Sequence, residues 1–417
     1  MQSYAFMRSL GRRGIDTVLL SEHEDVPLAS SRFCSELVRL SAAPTDLAAY
    51  RAELLDLAGR PDVESVVPVR EYEAYLLAKY REAFEAEVSL LVPDAETLAT
   101  AHDRLRLARE ARRAGVPVAR TRRLSEVERW DADVVVKSRY NLLTGDYVDS
   151  FPPDTVEEAR TVRFLPAGTE PDVGELRKQL NHDPIVQDFV PQETKHLYCA
   201  LWEDGEPVST YQHRQIRQNS WVGGGGVYRV SAYSPAVEAA AYDLLSHLDW
   251  DGFACIEYVK DADTGEWKFL EINPRTWQSM PEAVRAGVDF PYHYWLRARD
   301  EPGPIDDDYE TGTACHIAYG EISHLLSVLR DDSPFLDRPS FARRAWEIGS
   351  SFVTNPRFDY IRTDDPGLVL GTLRETVSAG VTSSRQFDAT EPTREPVASA
   401  DGRSPDGGST DLGSTDP

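Results

Sequence analysis

The stretch FACIEYVKDADTGEWKFLEINPRTWQS, residues 253–279, decides how the chain folds. FACIEYV is an apolar, aromatic run, DADTGE supplies turn residues, and WKFLEIN resumes the strand, so the stretch reads as a β-hairpin. Side chains alternate faces along a strand, which puts Glu271 and Asn273 on one face, and a turn centred near Thr264 sets Glu257 opposite Glu271. Two carboxylates and an amide then converge. Hard oxygen donors in that arrangement suit Mg²⁺ shared with substrate phosphates, while the same spacing also fits two carboxylates solvated on an exposed face.

Upstream, Lys137 ends the apolar run VVVK and precedes a glycine-containing loop, SRYNLLTGD. A lysine on a rigid strand holds a polyphosphate as a point charge while the loop closes over it. A lysine that discourages edge pairing is the other reading. HRQIRQNSWVGGGG (213–226) sets Arg214 and Arg217 before Gly223–Gly226. Arginines suit bidentate recognition of phosphate or carboxylate, and consecutive glycines let backbone N–H groups approach an anion. A salt-bridged strand and an open loop is the alternative. No Ser/His/Asp constellation is present, and His196 and His213 read as structural or substrate-orienting rather than as bases.

Towards the N-terminus, GIDTVLLSE (14–22) and VESVVPV (63–69) read as strands beside helical segments such as Glu71–Glu85, which implies a βαβ unit with a parallel sheet over residues 1 to about 93. The opening MQSYAFMRSLGRRG reads as the first helix of such a unit without its preceding strand, so the true start is expected upstream. Residues 94–116 carry start chemistry at Pro93 and Asp94 and stop chemistry at Gly115 and Pro117, which marks one helix and a new domain. Strands follow at Asp133–Lys137, Pro184–Val190 and Leu197–Trp202, with a turn at Glu203–Glu206 before the hairpin. The mixture is α+β. After Pro302 an acidic loop leads into a mixed stretch to about residue 384, and residues 386–417, rich in Ser, Thr, Asp, Gly and Pro, are expected to be disordered.

Composition bounds the rest. At 417 residues with 41% hydrophobic and 28% charged residues, the chain is globular with room for two or three domains. No apolar run reaches membrane-spanning length and Met1–Arg13 lacks a secretory h-region, which points to a cytoplasmic protein. A net charge of −25 disfavours nucleic acid and anionic membranes as partners. Only six residues are lysine, and residues 386–417, with seven acids and two arginines, account for little of the acidity, so the composition reads as high-salt adaptation of the halophilic type. Cys34, Cys199, Cys255 and Cys315 stand far apart without a CxxC pair; they read as buried thiols.

Taken in order, RSLGRRGIDTVLL (8–20), HDRLRLAREARRAGVPVART (102–121), VVVKSRYNLLTGD (134–146), IVQDFVPQE (185–193), HRQIRQNSWVGGGG and the hairpin resemble the ATP-grasp superfamily in its carboxylate–amine ligase branch, over roughly residues 1–300. The resemblance implies an α/β, Rossmann-like pre-ATP-grasp domain at 1–93 lacking its first strand. It then implies an α+β ATP-grasp domain at 94–300 whose two subdomains clasp ATP; the mixed extension at 301–385 and the tail at 386–417 lie beyond the resemblance. By the same resemblance Lys137 contacts the α- and β-phosphates, and Arg104 stands where many members have lysine. Gln187, Asp188, Phe189 and Val190 form the adenine hinge and Glu193 binds ribose. Glu257, Glu271 and Asn273 hold Mg²⁺ or Mn²⁺, Arg275 stabilises the transferring phosphoryl group, and Arg214 and Arg217 serve phosphate or substrate. The implied chemistry is phosphorylation of a small-molecule carboxylate by ATP to an acyl phosphate, then attack by an amine, with release of ADP and phosphate and with a homodimer as a candidate assembly. Two rivals are a catalytically degenerate ATP-binding module and a dinucleotide-dependent oxidoreductase. The second lacks a GxGxxG after a strand.

Overall fold

The computed structural model describes residues 1–23, 26–159, 162–299, 301, 305 and 308–372; the tail expected at 386–417 lies outside them. Its first part is mostly helical: α1 (Tyr4–Gly11), α2 (Leu47–Ala58), α3 (Glu71–Lys79), α4 (Arg81–Glu85), α5 (Ala95–His102) and α6 (Arg104–Arg113). One parallel strand pair accompanies them, β1 (Val18–Ser21) and β2 (Glu36–Arg39). VESVVPV, expected as a strand, is not one. A strand persists only where a neighbouring backbone pairs along it, and here Ser65 makes a single parallel bridge to Ser89. β1, paired only with β2 among the described residues, and residues 62–67 instead line a common cavity of about 1830 Å³.

The helix expected over 94–116 is two helices. Asp103 leaves the helical region at φ −91, ψ 95, and its carboxylate accepts from Leu105 N and Arg106 N, so a capping residue inside the run starts a second helix. The run expected over Glu71–Glu85 likewise breaks, at Tyr80.

A four-stranded antiparallel sheet follows, built from β3 (Thr121–Arg123), β4 (Val134–Lys137), β7 (Val162–Leu165) and β8 (Ile185–Asp188) in the order β3-β8-β4-β7. A separate pair, β5 (Leu142–Leu143) and β6 (Glu157–Glu158), lies between in sequence, and α7 (Val173–Leu180) precedes β8. Register decides what each face carries. Val134, Val136, Leu165 and Val186 pack with Leu124 and with Leu176 of α7 in a small core. Val135 stands opposite both Gln187 and Phe164, and Lys137 opposite Ile185, so these five side chains share the other face.

The larger sheet has six antiparallel strands in the order β13-β12-β9-β10-β11-β14: β9 (Gln192–Glu203), β10 (Glu206–Ser220), β11 (Gly223–Ser231), β12 (Gly252–Asp261), β13 (Trp267–Asn273) and β14 (Ala314–His316). Asp204 and Gly205, both at positive φ, form the tight turn that joins β9 to β10. On one face Tyr198, Ala200, Trp202, Ala254 and Ile256 pack against α6 and against α8 (Pro235–His247). On the other, Leu197, Cys199, Leu201, Phe253 and Cys255 pack against α1, α9 (Met280–Ala286) and α10 (Phe290–Ala298). Gly223–Gly226, for which an open loop was the alternative reading, begin β11.

The C-terminal part adds β14 to the edge beside β11, then α11 (Ala318–Arg330) and α12 (Phe341–Thr354). Asp365 returns the chain to its beginning, accepting from Tyr4 Oη at 3.0 Å, Ser31 Oγ at 2.5 Å and Arg32 N at 3.1 Å. Cys199, Cys255 and Cys315 are buried thiols, whereas Cys34 is only half-buried. Among the described residues no helix is long and apolar enough to cross a membrane.

Candidate functional site

Between the two sheets lies a cleft whose walls are set by strand register. On the large sheet β12 pairs Glu257 with Glu271 on β13 and with Leu197 on β9, so Glu257, Glu271 and, two residues on, Asn273 share a face. A bulge follows at Leu270, because Tyr258 pairs with Phe269 while Glu257 pairs with Glu271. That extra residue packs with Ala119, Val190 and Val259. On the small sheet Lys137 Nζ donates to Gln187 Oε1 at 3.0 Å, and Gln187 Nε2 donates to Thr121 Oγ1 at 3.1 Å, which holds the ammonium at the cleft.

Arg104 arrives because the helix break at Asp103 starts α6 there. Its guanidinium donates to the carbonyls of Ser138 (2.9 Å) and Tyr140 (3.2 Å) and stands 3.5 Å from Glu271. Arg275, just after β13, donates to Asn273 Oδ1 at 3.2 Å and pairs with Glu71 at 2.7 Å. Glu71 in turn meets His102 Nε2 at 3.2 Å. Lys195, on β9 two residues before Leu197, pairs with Glu257 at 2.6 Å.

Sequence reasoning missed Lys195, Glu71 and His102. The signal for Lys195 was present, since lysine is scarce in this chain and alternation from Glu193 puts both on one face of a strand; Glu71 and His102 carry no local signal.

Electrostatics follow from the packing. Burial pulls the Lys137 ammonium down to about 8, with Glu271 opposing and Arg104 and Lys195 reinforcing the drop. Burial acts the same way on Lys195, but Glu257 outweighs it and the net shift is upward. Burial pushes the Glu271 carboxyl up, yet Arg104, Lys137 and Lys195 together carry it below the usual range. Both acids at the hairpin are thus neutralised by cations of the chain itself.

Oxygen donors from two carboxylates and one amide fit Mg²⁺. Among the described residues no three His, Cys, Asp or Glu side chains gather at one point.

The remaining expected residues fall in three places. Asp188 pairs with Arg122 at 2.9 Å, Phe189 N donates to the Asp133 carbonyl, and Val190 N–H donates to no acceptor among the described residues. Glu193 pairs with Lys260 near 3 Å at the exposed end of β9. The two arginines of β10 are not gathered with the cluster. Arg214 stands in register with His196 on the opposite face of the sheet and is exposed. Arg217 is buried, bidentate to Glu321 at 2.8 Å, bonded to Ser351 and laid over the Tyr228 ring. His213, buried on the cleft face of β10, meets Ser279 Oγ at 2.8 Å.

No protein-family model matches the sequence, and no curated protein matches it. Solved structures do resemble it. The biotin carboxylase domain dimer of Hydrogenobacter thermophilus 2-oxoglutarate carboxylase, in complex with MgADP, ADP and bicarbonate, is 16% identical, with a TM-score of 0.55 over 74% of this chain and 70% of that one. N5-carboxyaminoimidazole ribonucleotide synthetase from Thermotoga maritima is 16% identical, with a TM-score of 0.52 over 74% and 76%. The biotin carboxylase of Campylobacter jejuni, in a β-γ-ATP complex, is 10% identical, with a TM-score of 0.54 over 75% and 72%. The fold is therefore a Rossmann-like α/β unit followed by an α+β ATP-grasp unit.

Proposed function

We propose that this protein is an ATP-dependent ligase that joins a carboxylate to an amine through an acyl phosphate, releasing ADP and phosphate. One observation carries the reading: Lys137, Arg104, Lys195 and Arg275 meet Glu257, Glu271 and Asn273 at the cleft between two sheets of an ATP-grasp fold. A fixed cluster of cations and oxygen donors serves phosphoryl transfer by positioning and charge, and needs no protein nucleophile.

In this reading Lys137, steadied by Gln187, and Arg104 hold the triphosphate, and the hinge at Gln187–Val190 takes the base through the open Val190 N–H. Glu193 takes the ribose. Glu257, Glu271 and Asn273 would hold Mg²⁺, which offsets charge on the transferred phosphoryl group. Arg275, braced by Glu71, faces the phosphoryl group as it moves to the substrate carboxylate. The cavity of about 1830 Å³ beside the N-terminal strands, lined among others by Arg70, Gly225 and Gln278, offers room for the acid and the amine.

The test is release of ADP from MgATP over a panel of amino acids, other carboxylates, bicarbonate and amines, read with product mass. Release that needs both an acid and an amine supports the ligase. ATP binding with no turnover on any pair would instead favour a nucleotide-binding module.

A further inference from the structure

The cleft face of the small sheet carries an aromatic cluster whose third member comes from far along the chain. Phe164 shares that face with Val135, Lys137 and Gln187, and Phe189 lies one residue past β8, between Asp188 and Val190. Phe335, from the irregular segment between α11 and α12, stacks on Phe189 with ring centroids 4.2 Å apart and planes at 29°. It meets Phe164 edge-on at 5.8 Å. The other face of the same sheet is closed by α7 and the Leu124–Val186 core, so the ring enters from the Lys137 side.

The segment that carries Phe335 is anchored on the opposite wall. Trp221, in the β10–β11 turn, donates from its backbone to Ser327 Oγ at 2.9 Å and from its indole to the Ser327 carbonyl at 3.1 Å and the Asp331 carbonyl at 3.3 Å. Ser220 Oγ bonds the Asp331 carboxylate, and Arg338 returns to the Asp331 carbonyl at 2.9 Å. Residues 331–338 thus strap the large sheet to the small one at the hinge end of the cleft.

We propose that Phe335 closes the base end of this cleft, so that the C-terminal extension supplies the aromatic wall against which the purine of a nucleoside triphosphate packs. The inference rests on the nucleotide reading of the cleft. An aromatic wall beside a free backbone donor at Val190 is suited to a planar base, whose flat face gains from ring contact while its edge takes the hydrogen bond. The phosphates, held at Lys137 and Arg104, do not touch this wall.

Calorimetric titration of the full chain with MgATP and with Mg-tripolyphosphate separates the two ends. Phe335→Ala is expected to raise the Kd for MgATP about tenfold and to leave that for tripolyphosphate within about twofold. Phe335→Trp, which keeps a ring, is expected to stay near the unsubstituted protein for both. Unchanged MgATP affinity in Phe335→Ala overturns the inference. So does tighter MgATP binding, which would mean that the ring occupies the base position, and so does equal weakening of both ligands. Failure of the unsubstituted chain to bind MgATP brings down the nucleotide reading itself, a distinct result.

Discussion

Two buried charge clusters sit within the same large sheet and its attachments, and they are built to opposite ends. Behind β11, Arg229 lies between Glu282 at 2.9 Å and Asp359, and all three are essentially sealed from solvent, at 1%, 0% and 0% exposure. In the cleft, Lys195 and Glu257 are 13% and 18% exposed and Arg104 and Glu271 are 16% and 27%. The sealed cluster has one cation for two carboxylates, and burial pushes the Glu282 carboxyl up to about 8 despite Arg229. The cleft cluster has a cation for each acid, and every member keeps an opening through which a phosphate or a metal could replace its partner. Burial of charge alone therefore does not mark a site. What marks the cleft is charge that is paired and still reachable.

If that contrast is right, substitution should split stability from activity. The largest effect is expected from Arg229→Met, which leaves Asp359 and Glu282 without their cation in the interior and should cost about 3–5 kcal/mol of stability by urea unfolding. A loss below about 1 kcal/mol would show that the sealed cluster does not need its cation. Glu271→Ala should behave oppositely, lowering ATP turnover by about 10²–10³-fold while unfolding free energy stays within about 1 kcal/mol. Normal ATP turnover in that variant would remove the hairpin from the chemistry.

The smallest effect concerns pH. Burial brings the Lys137 ammonium down to about 8, so the charge is present below that pH and is lost as pH rises through it. Triphosphate favours the charged form. ATP affinity should therefore be flat up to about pH 7 and fall by up to about tenfold per unit above 8, whereas Lys137→Arg, always charged, should remove the decline. A wild-type Kd that does not move between pH 7 and 9.5 would place the triphosphate away from Lys137.

The parts legible in the sequence were those with local period and punctuation. The pairing of Glu257 with Glu271 followed from alternation and one turn, and Lys137 stood at the end of an apolar run. Arg214 illustrates the limit. Its own strand reads clearly, but which face it shares depends on its register with β9, and no local pattern encodes that. The same holds for VESVVPV, whose β-branched residues promise a strand that only a partner backbone can stabilise. Asp103 was misread for a different reason: its capping chemistry sits inside an otherwise helical run, where propensity summed over the window hides it. Phe335 reaches Phe189, and Glu321 reaches Arg217, across more than a hundred residues, beyond any sequence window.

The bonds from Tyr4, Ser31 and Arg32 to Asp365 also set a timetable for biosynthesis. Tyr4 is separated from its acceptor by 361 positions. At roughly 5–20 residues per second, a ribosome needs on the order of 20–70 s to deliver Asp365 after Tyr4 has been made. Throughout that interval the first helix carries a buried-type phenol without its acceptor, beside a sheet of only two short strands. The nascent N-terminal segment stays open to chaperones and proteases through that interval, and its final docking belongs to the close of translation rather than the start.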